Sequence, residues 1–181
     1  MVDSEVRDTI GTKRNVSGIF TRERKKIEGA AVYPFPFGTL FIGYEGDEIV
    51  RIKKAEEAEE GTGEGNRLTD EAYRQIMEYF SKRRREFDFP IRLCGTEFQK
   101  KVWRELCKIP YGETRSYKEI AAAIGKPLAY RAVGMANHKN PILIAVPCHR
   151  VIGADGSLVG YADGVEVKRE LLFMEGALKD R

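Results

Sequence analysis

The apolar positions of this 181-residue chain change their spacing several times along its length. Between residues 32 and 53, "TLFIGY" and "EIVRI" are runs of β-branched and aromatic residues joined by "EGD", a turn-forming triplet; together they predict a short hairpin. From Asp70 to Glu86, Ala72, Tyr73, Ile76, Met77 and Phe80 recur at helical spacing and lead into the basic cluster Lys82 to Arg85, which suits a helix C-terminus. Between these elements, Ala55 to Asn66 is acidic, Gly-rich and without a large apolar residue, so it reads as an exposed connection.

From Cys94 onward the helical period takes over. Thr96 and Gln99 make a capping-box pattern ahead of the core-facing set Phe98, Val102, Trp103 and Leu106. "IPYGE" (Ile109 to Glu113) stops that helix, and a second capping box, Ser116 with Glu119, opens "YKEIAAAIG", which Gly125 closes. A further helix is expected from about Leu128 to Asn137. Two short helices about a tight Gly-containing turn have the sequence form of a helix-turn-helix. "NPILIAV" then predicts a buried strand-like segment, ended by Pro147, and a last helix is expected from about Val165 to Glu175. The pattern gives an α/β N-terminal domain (1–90), a small antiparallel sheet plus a helix, followed by a mostly α C-terminal domain (91–181) with a winged-helix-like helix-turn-helix.

The formal net charge of +3 is too small to indicate nucleic-acid binding by the whole chain, so its distribution matters more. Residues 45–64 hold three basic and eight acidic residues, whereas 111–150 hold six basic and two acidic ones. The basic block surrounds "PCHR". Within the helix-turn-helix, Ala129, Ala132, Gly134 and Ala136 leave the second helix small-sided, with Arg131 projecting among them. Such a helix can approach a groove closely and its one long cation can enter a base stack; the plainer alternative is close helix packing with Arg131 in solvent. No apolar stretch of 18 residues occurs and the N-terminus has no signal-peptide core, so an intracellular, cytoplasmic protein without a membrane anchor is expected.

Three cysteines, Cys94, Cys107 and Cys148, form no CxxC pair and leave one over, which fits a reducing compartment. Cys94 and Cys107 lie beside apolar residues without a neighbouring base and read as structural. Cys148 stands at the exit of a rigid segment, next to His149, where a thiol can be held without being sealed in, so an accessible side chain is expected. Packed core residue, metal ligand and nucleophile are all open to it, although zinc-site spacing is absent and no metal or other cofactor is expected. A thiol with an ordinary pKa needs a base to act as a nucleophile, and only His138 and His149 titrate near neutrality. Which acid would orient the imidazole does not follow from composition.

"NPILIAVPCHRVIG" followed by "GSLVGYADGVEVKRELLFMEG", and preceded by "GTEFQKKVWRELCKIPYGETRSYKEIAAAIGKPLAYRAVGMANHKNP", resembles the active-site region of the O6-alkylguanine-DNA alkyltransferases from Gly95 to Gly176. Residues 1 to about 90 resemble that family only in general plan. The resemblance implies a monomer that binds duplex DNA carrying O6-alkylguanine, flips the nucleotide out, and takes the alkyl group irreversibly onto its own cysteine. It implies Cys148 as acceptor, His149 relaying the thiol proton through water to Glu175, and Asn140 bracing the turn. Tyr117 and Lys168 would help neutralise the leaving guanine. Tyr161 would line the lesion pocket, the Val151 carbonyl would read the exocyclic amine, Arg131 would fill the vacated stack, and Ala132 and Gly134 would line the DNA-facing helix. Some relatives carry a hydroxyl residue where this chain has Ala162, and others hold zinc in an N-terminal region that here has neither Cys nor His. The rival functions are a lesion-binding protein of the same fold without transfer, against which the cysteine itself argues, and a Cys-His hydrolase, which would turn over repeatedly.

Overall fold

The computed structural model describes residues 27–56, 63, 65–161 and 164–178. Ala162 and most of the Ala55–Asn66 connection therefore lie outside the described residues.

Three antiparallel strands, β1 (Gly29–Phe35), β2 (Gly38–Glu45) and β3 (Glu48–Lys54), form a meander in the order β1-β2-β3. The expected hairpin is β2-β3. The strand added before it contains Pro34, a residue that argues against a central strand but is tolerated at an edge, where β1 lies. Leu40, Ile42, Ile49 and Ile52 point to one side of the sheet and are fully buried.

That face packs on α1 (Arg67–Phe80), whose core stripe is Ala72, Ile76 and Tyr79. Asn66 caps α1 by accepting from the Thr69 amide, so the helix starts three residues earlier than expected. It also ends six residues earlier, at Phe80, because Lys82 adopts a left-handed conformation (φ 59°). The basic cluster 82–85 consequently lies beyond the helix rather than in its last turn.

The other edge of the sheet is covered. Along β3, Ile49 pairs with Ile91, and Ile52 pairs with Ile142 through Ile52 N–H to Pro141 O and Leu143 N–H to Ile52 O, both 2.9 Å. This seats the segment leading to Cys148 directly on the sheet.

The C-terminal part begins with α2 (Glu97–Leu106), opened by the Thr96/Gln99 capping box as expected. Its Trp103 is buried and donates from Nε1 to Ala136 O at 2.8 Å. Next come β4 (Arg115–Ser116), α3 (Tyr117–Ala123) and α4 (Tyr130–His138). Gly125, with φ 73°, makes the turn between α3 and α4 without the strain that a β-carbon would bring. Leu128, expected in the second helix, is instead a 90% exposed residue of the turn. After a 3₁₀ turn at Cys148–Arg150, β5 (Val151–Ile152) pairs in parallel with β4, and α5 (Val165–Met174) closes the fold. Among the described residues no helix is long and apolar enough to cross a membrane.

Because Ile142 joins the sheet edge to the turn that leads to Cys148 and is fully buried, Ile142→Ala should destabilise the fold by about 2–5 kcal/mol. Urea unfolding followed by far-UV circular dichroism measures this; a loss below about 1 kcal/mol would contradict the anchoring role.

Candidate active site

Asn140 to Pro147 is a compact turn, not the strand expected from "ILIAV". Asn140 accepts from the Ile142 amide (3.0 Å) through Oδ1 and donates to Val146 O (2.7 Å) through Nδ2. Further bonds from Val146 N–H to Ile142 O (3.0 Å) and from Ala145 N–H to Leu143 O (2.8 Å) satisfy the backbone locally, so little is left for a ladder. Ile144 has φ 70°, an uncommon conformation for a buried β-branched residue, with a typical cost of about 1–3 kcal/mol. The strain sits four residues before the cysteine.

Cys148 is 2% exposed, where the sequence suggested an accessible thiol. Asn140 Nδ2 reaches its Sγ at 3.0 Å, and Asn137 Nδ2 donates to its carbonyl at 3.1 Å. The neighbouring imidazole of His149 is fully buried. Its Nε2 lies 2.9 Å from Glu175 Oε1, while its Nδ1 is buried with no hydrogen-bond partner among the described residues. A proton held on Nε2 by the carboxylate leaves Nδ1 as the basic nitrogen. Burial lowers the pKa of His149, and Glu175 only partly offsets that, so the ring rests neutral.

Glu175 follows the last turn of α5 and is the hub of the site. Besides His149 it accepts from Arg150 Nε (3.0 Å) and Nη2 (2.9 Å), Gly112 N–H (3.2 Å) and Tyr79 O–H (2.6 Å). Burial alone would raise its pKa; the bonds from His149, Arg150 and Tyr79 outweigh burial and hold it at about 2. Arg150, for which the sequence suggested no part, also donates to Ile109 O at 2.7 Å and is almost completely buried. Gly112 approaches so closely that a β-carbon there would lie 3.0 Å from Glu175 O, and its φ is 79°.

On the other side of the cysteine, the β4-β5 ladder brings the start of α3 beside Val151. Tyr117 O–H donates to Val159 O (2.9 Å). Lys168, fully buried on α5, donates to Val151 O (2.5 Å) and to Val159 O (2.9 Å), and lies 5.8 Å from the Tyr117 ring centroid. The Val151 carbonyl is thus already engaged, with one lone pair left for a ligand. Burial lowers the pKa of Lys168 to about 8, against the opposing charge of Cys148; burial first and the Cys148 charge second raise that of Tyr117. Tyr161 is buried and lines an apolar recess with Phe35, Leu143 and Val167.

Arg131 and Ala132 are exposed on α4, with the Arg131 guanidinium 5.9 Å from the Tyr130 ring, and Gly134 faces Tyr117. Of the two cysteines read as structural, Cys94 is half-buried, whereas Cys107 is exposed after the end of α2. The structure therefore sets two bonded pairs, Asn140 with Cys148 and His149 with Glu175, side by side at the 3₁₀ turn and gathers Tyr117, Val151 and Lys168 into a second group, while Arg131 stands apart on the surface. Sequence reasoning missed Arg150 and Tyr79. The tyrosine continues the Ala72-Ile76 stripe at helical spacing, and a polar-tipped ring in that position was the available signal.

The Glu175 carboxyl has a folded pKa of about 2 against an ordinary 4.5. The unfolded chain therefore takes up the proton first as pH falls. This contribution, on the order of 3 kcal/mol, should be complete above about pH 5 and disappear between pH 4.5 and 2. Denaturation midpoints at pH 7 and pH 3 should differ strongly in the parent protein and much less in Glu175→Gln; an equal acid sensitivity of the two proteins would count against this.

Residues 97–177 match the family model described as 6-O-methylguanine DNA methyltransferase, DNA binding domain, and residues 30–93 match that of its ribonuclease-like domain. A methylated-DNA–protein-cysteine methyltransferase of Methanosarcina acetivorans is 47% identical over 154 residues, 81% of this chain and 97% of that protein. The crystal structure of Mycobacterium tuberculosis O6-methylguanine methyltransferase superposes with a TM-score of 0.74 at 42% identity, covering 82% of this chain and 93% of that one. Mycobacterium tuberculosis OGT in complex with DNA gives 0.73 at 44% identity, over 81% and 91% of the respective chains. A relative aligned over nearly its whole length, and family models matching both the sheet-bearing and the cysteine-bearing parts, leave one assignment: the chain belongs to the methylated-DNA–protein-cysteine methyltransferase family.

Proposed function

We propose that this protein repairs DNA by direct reversal, moving the alkyl group of O6-alkylguanine in duplex DNA onto Cys148 in a single, irreversible event. What supports the reading is a buried thiol held by Asn140, next to an imidazole whose Nε2 is fixed by Glu175 and whose Nδ1 is left to accept a proton. Cys148 gives its proton to His149 Nδ1, directly or through water. Sγ then attacks the alkyl carbon as the bond from that carbon to O6 breaks, and the Asn140 amide stabilises the developing thiolate. The guanine leaves as an anion. Lys168, with a pKa of about 8, is mostly protonated at neutral pH and close to the ideal acidity for donating to it, with Tyr117 beside it. The thioether has no hydrolytic exit, so each molecule acts once.

O6 is stacked inside duplex DNA, so the nucleotide has to swing out at a cost of a few kcal/mol. Exposed Arg131, on the small-sided helix with Ala132 and Gly134, fills the gap; the pocket takes the base against Tyr161, and the second lone pair of Val151 O receives its exocyclic amine. One polypeptide supplies every group, so a monomer suffices, divided near residue 90 into a sheet-bearing and a reacting domain. Three free cysteines fit the reducing cytoplasm.

Incubation with a duplex oligonucleotide carrying O6-methylguanine should add one methyl mass per protein, localised to Cys148 by peptide mapping and absent in Cys148→Ala. Lesion turnover without a mass change would favour a Cys-His hydrolase, and tight binding without transfer would favour a lesion-binding protein. Arg131→Ala should slow transfer from duplex DNA about 10–100-fold, consistent with a loss of about 1.4–2.8 kcal/mol, yet leave transfer from the free base O6-benzylguanine nearly unchanged; equal slowing on both would remove the gap-filling role. Lys168→Met should lower the rate on either substrate by about 100-fold or more and abolish the decline expected above about pH 8.

A further inference from the structure

One buried titratable group in contact with the relay has no part in the scheme above. Tyr79 comes from the last turn of α1, 96 residues before Glu175, and is fully buried. Its hydroxyl donates to Glu175 Oε1 at 2.6 Å and lies 3.5 Å from His149 Nε2. The ring is held by Phe80, Phe87 and Tyr111, with centroids 5.5, 5.6 and 6.0 Å away. Every other donor to Glu175 belongs to residues 112–150; Tyr79 alone arrives from the sheet-and-helix part of the chain.

We propose that Tyr79 is a positioning residue of the transfer site, by which the N-terminal part of the protein sets the basicity of His149 through the shared oxygen Oε1 of Glu175. The inference rests on the alkyl-transfer reading given above. Oε1 accepts from Tyr79, His149 and Arg150 at once. A charge-assisted O–H bond at 2.6 Å is a strong one and withdraws negative charge from the oxygen that faces the imidazole. A carboxylate so engaged stabilises an imidazolium less. His149 then stays neutral in the resting protein, with Nε2–H fixed and Nδ1 ready to accept.

The phenol is suited to this because it does not give its proton up: burial first, and the Glu175 charge second, push its pKa well above the ordinary range. The other groups facing His149 are Glu175 and Lys168 from α5 and its end, Arg150 and Cys148 from the 3₁₀ turn, with Tyr111 touching the ring of Tyr79. Arg150 and Lys168 both disfavour the imidazolium, Glu175 favours it, and Tyr79 tempers Glu175. Removal of the hydroxyl therefore leaves Glu175 freer to charge the ring, and the pKa of His149 rises.

The test is Tyr79→Phe, which keeps the aromatic packing. Methyl transfer from a duplex carrying O6-methylguanine is followed by intact mass from pH 5 to 9, and ¹⁵N-labelled histidine is titrated in the free protein. The chain has two histidines, so exposed His138 serves as an internal control. Expected are one methyl per Cys148, an acid limb of the pH–rate profile moved upward by about half to one pH unit, and an equal shift of the His149 titration with His138 unmoved. A drop in rate uniform across pH, or an unmoved His149 titration, overturns the proposal. If Phe loosens the aromatic cluster, 3-fluorotyrosine at position 79, a stronger donor, should move both midpoints downward; unchanged midpoints overturn the proposal there as well. Absence of methyl on Cys148 in the parent protein would defeat the transfer reading itself, and the histidine titration would still decide the part played by Tyr79.

Discussion

The structure around the thiol depends on one buried carboxylate. Taking a carboxylate out of water is costly unless its lone pairs are filled, and Glu175 meets this with four donor residues from three separate places in the chain. These are α1, the Tyr111-Gly112 turn, and His149 and Arg150 of the 3₁₀ turn. Each donor ties its own segment to the end of α5. The same bonds that make the charge tolerable thus join the termini of several elements at one point. A neutral residue here would leave Arg150 buried without a counter-charge and His149 without a fixed tautomer.

The second constraint is the covered edge of the small sheet. β3 gives its outward backbone groups to residues 90–92 and 141–143, which removes an edge open to pairing with other chains and fixes the turn that presents Cys148. The sheet therefore acts as a platform for the turn that carries Cys148. Ile144 can hold a left-handed backbone only because Ile52, Asn140 and the surrounding core determine the path of the chain on both sides of it.

Local chemistry was readable from sequence wherever an element's signal lies within a few residues. The capping boxes at Thr96 and Ser116, the Gly125 turn and the helical stripes all appear at or near their expected places. Cys148 and His149 stood out by adjacency and by the family pattern, and both lie in the 3₁₀ turn. The reading of "ILIAV" as a strand failed because Asn140, a side chain outside the run, takes the amide of Ile142 and the carbonyl of Val146 for itself. Tyr79 could be placed on the core stripe of α1, but its partners were unreadable for a different reason: it is 70 residues from His149 and 96 from Glu175, and only the tertiary fold brings it to them. Arg150 stood in plain view in the motif, yet whether an arginine faces phosphate or a buried acid is decided by where the next helix ends.

The burial of Arg150 also changes what the basic segment offers to a polyanion. Of the six cations between residues 111 and 150, Arg150 is spent on Glu175, and Arg115 pairs with Glu113. Lys118, Lys126, Arg131 and Lys139 remain exposed. Contact through these four would release only about four condensed counterions, since each neutralised phosphate contributes a slope of roughly 0.9 in the dependence on salt. The grip of this segment on a duplex would then carry only a modest salt dependence. In the reaction proposed above, residence time would then be set by whether a base enters the pocket rather than by the strength of the backbone grip.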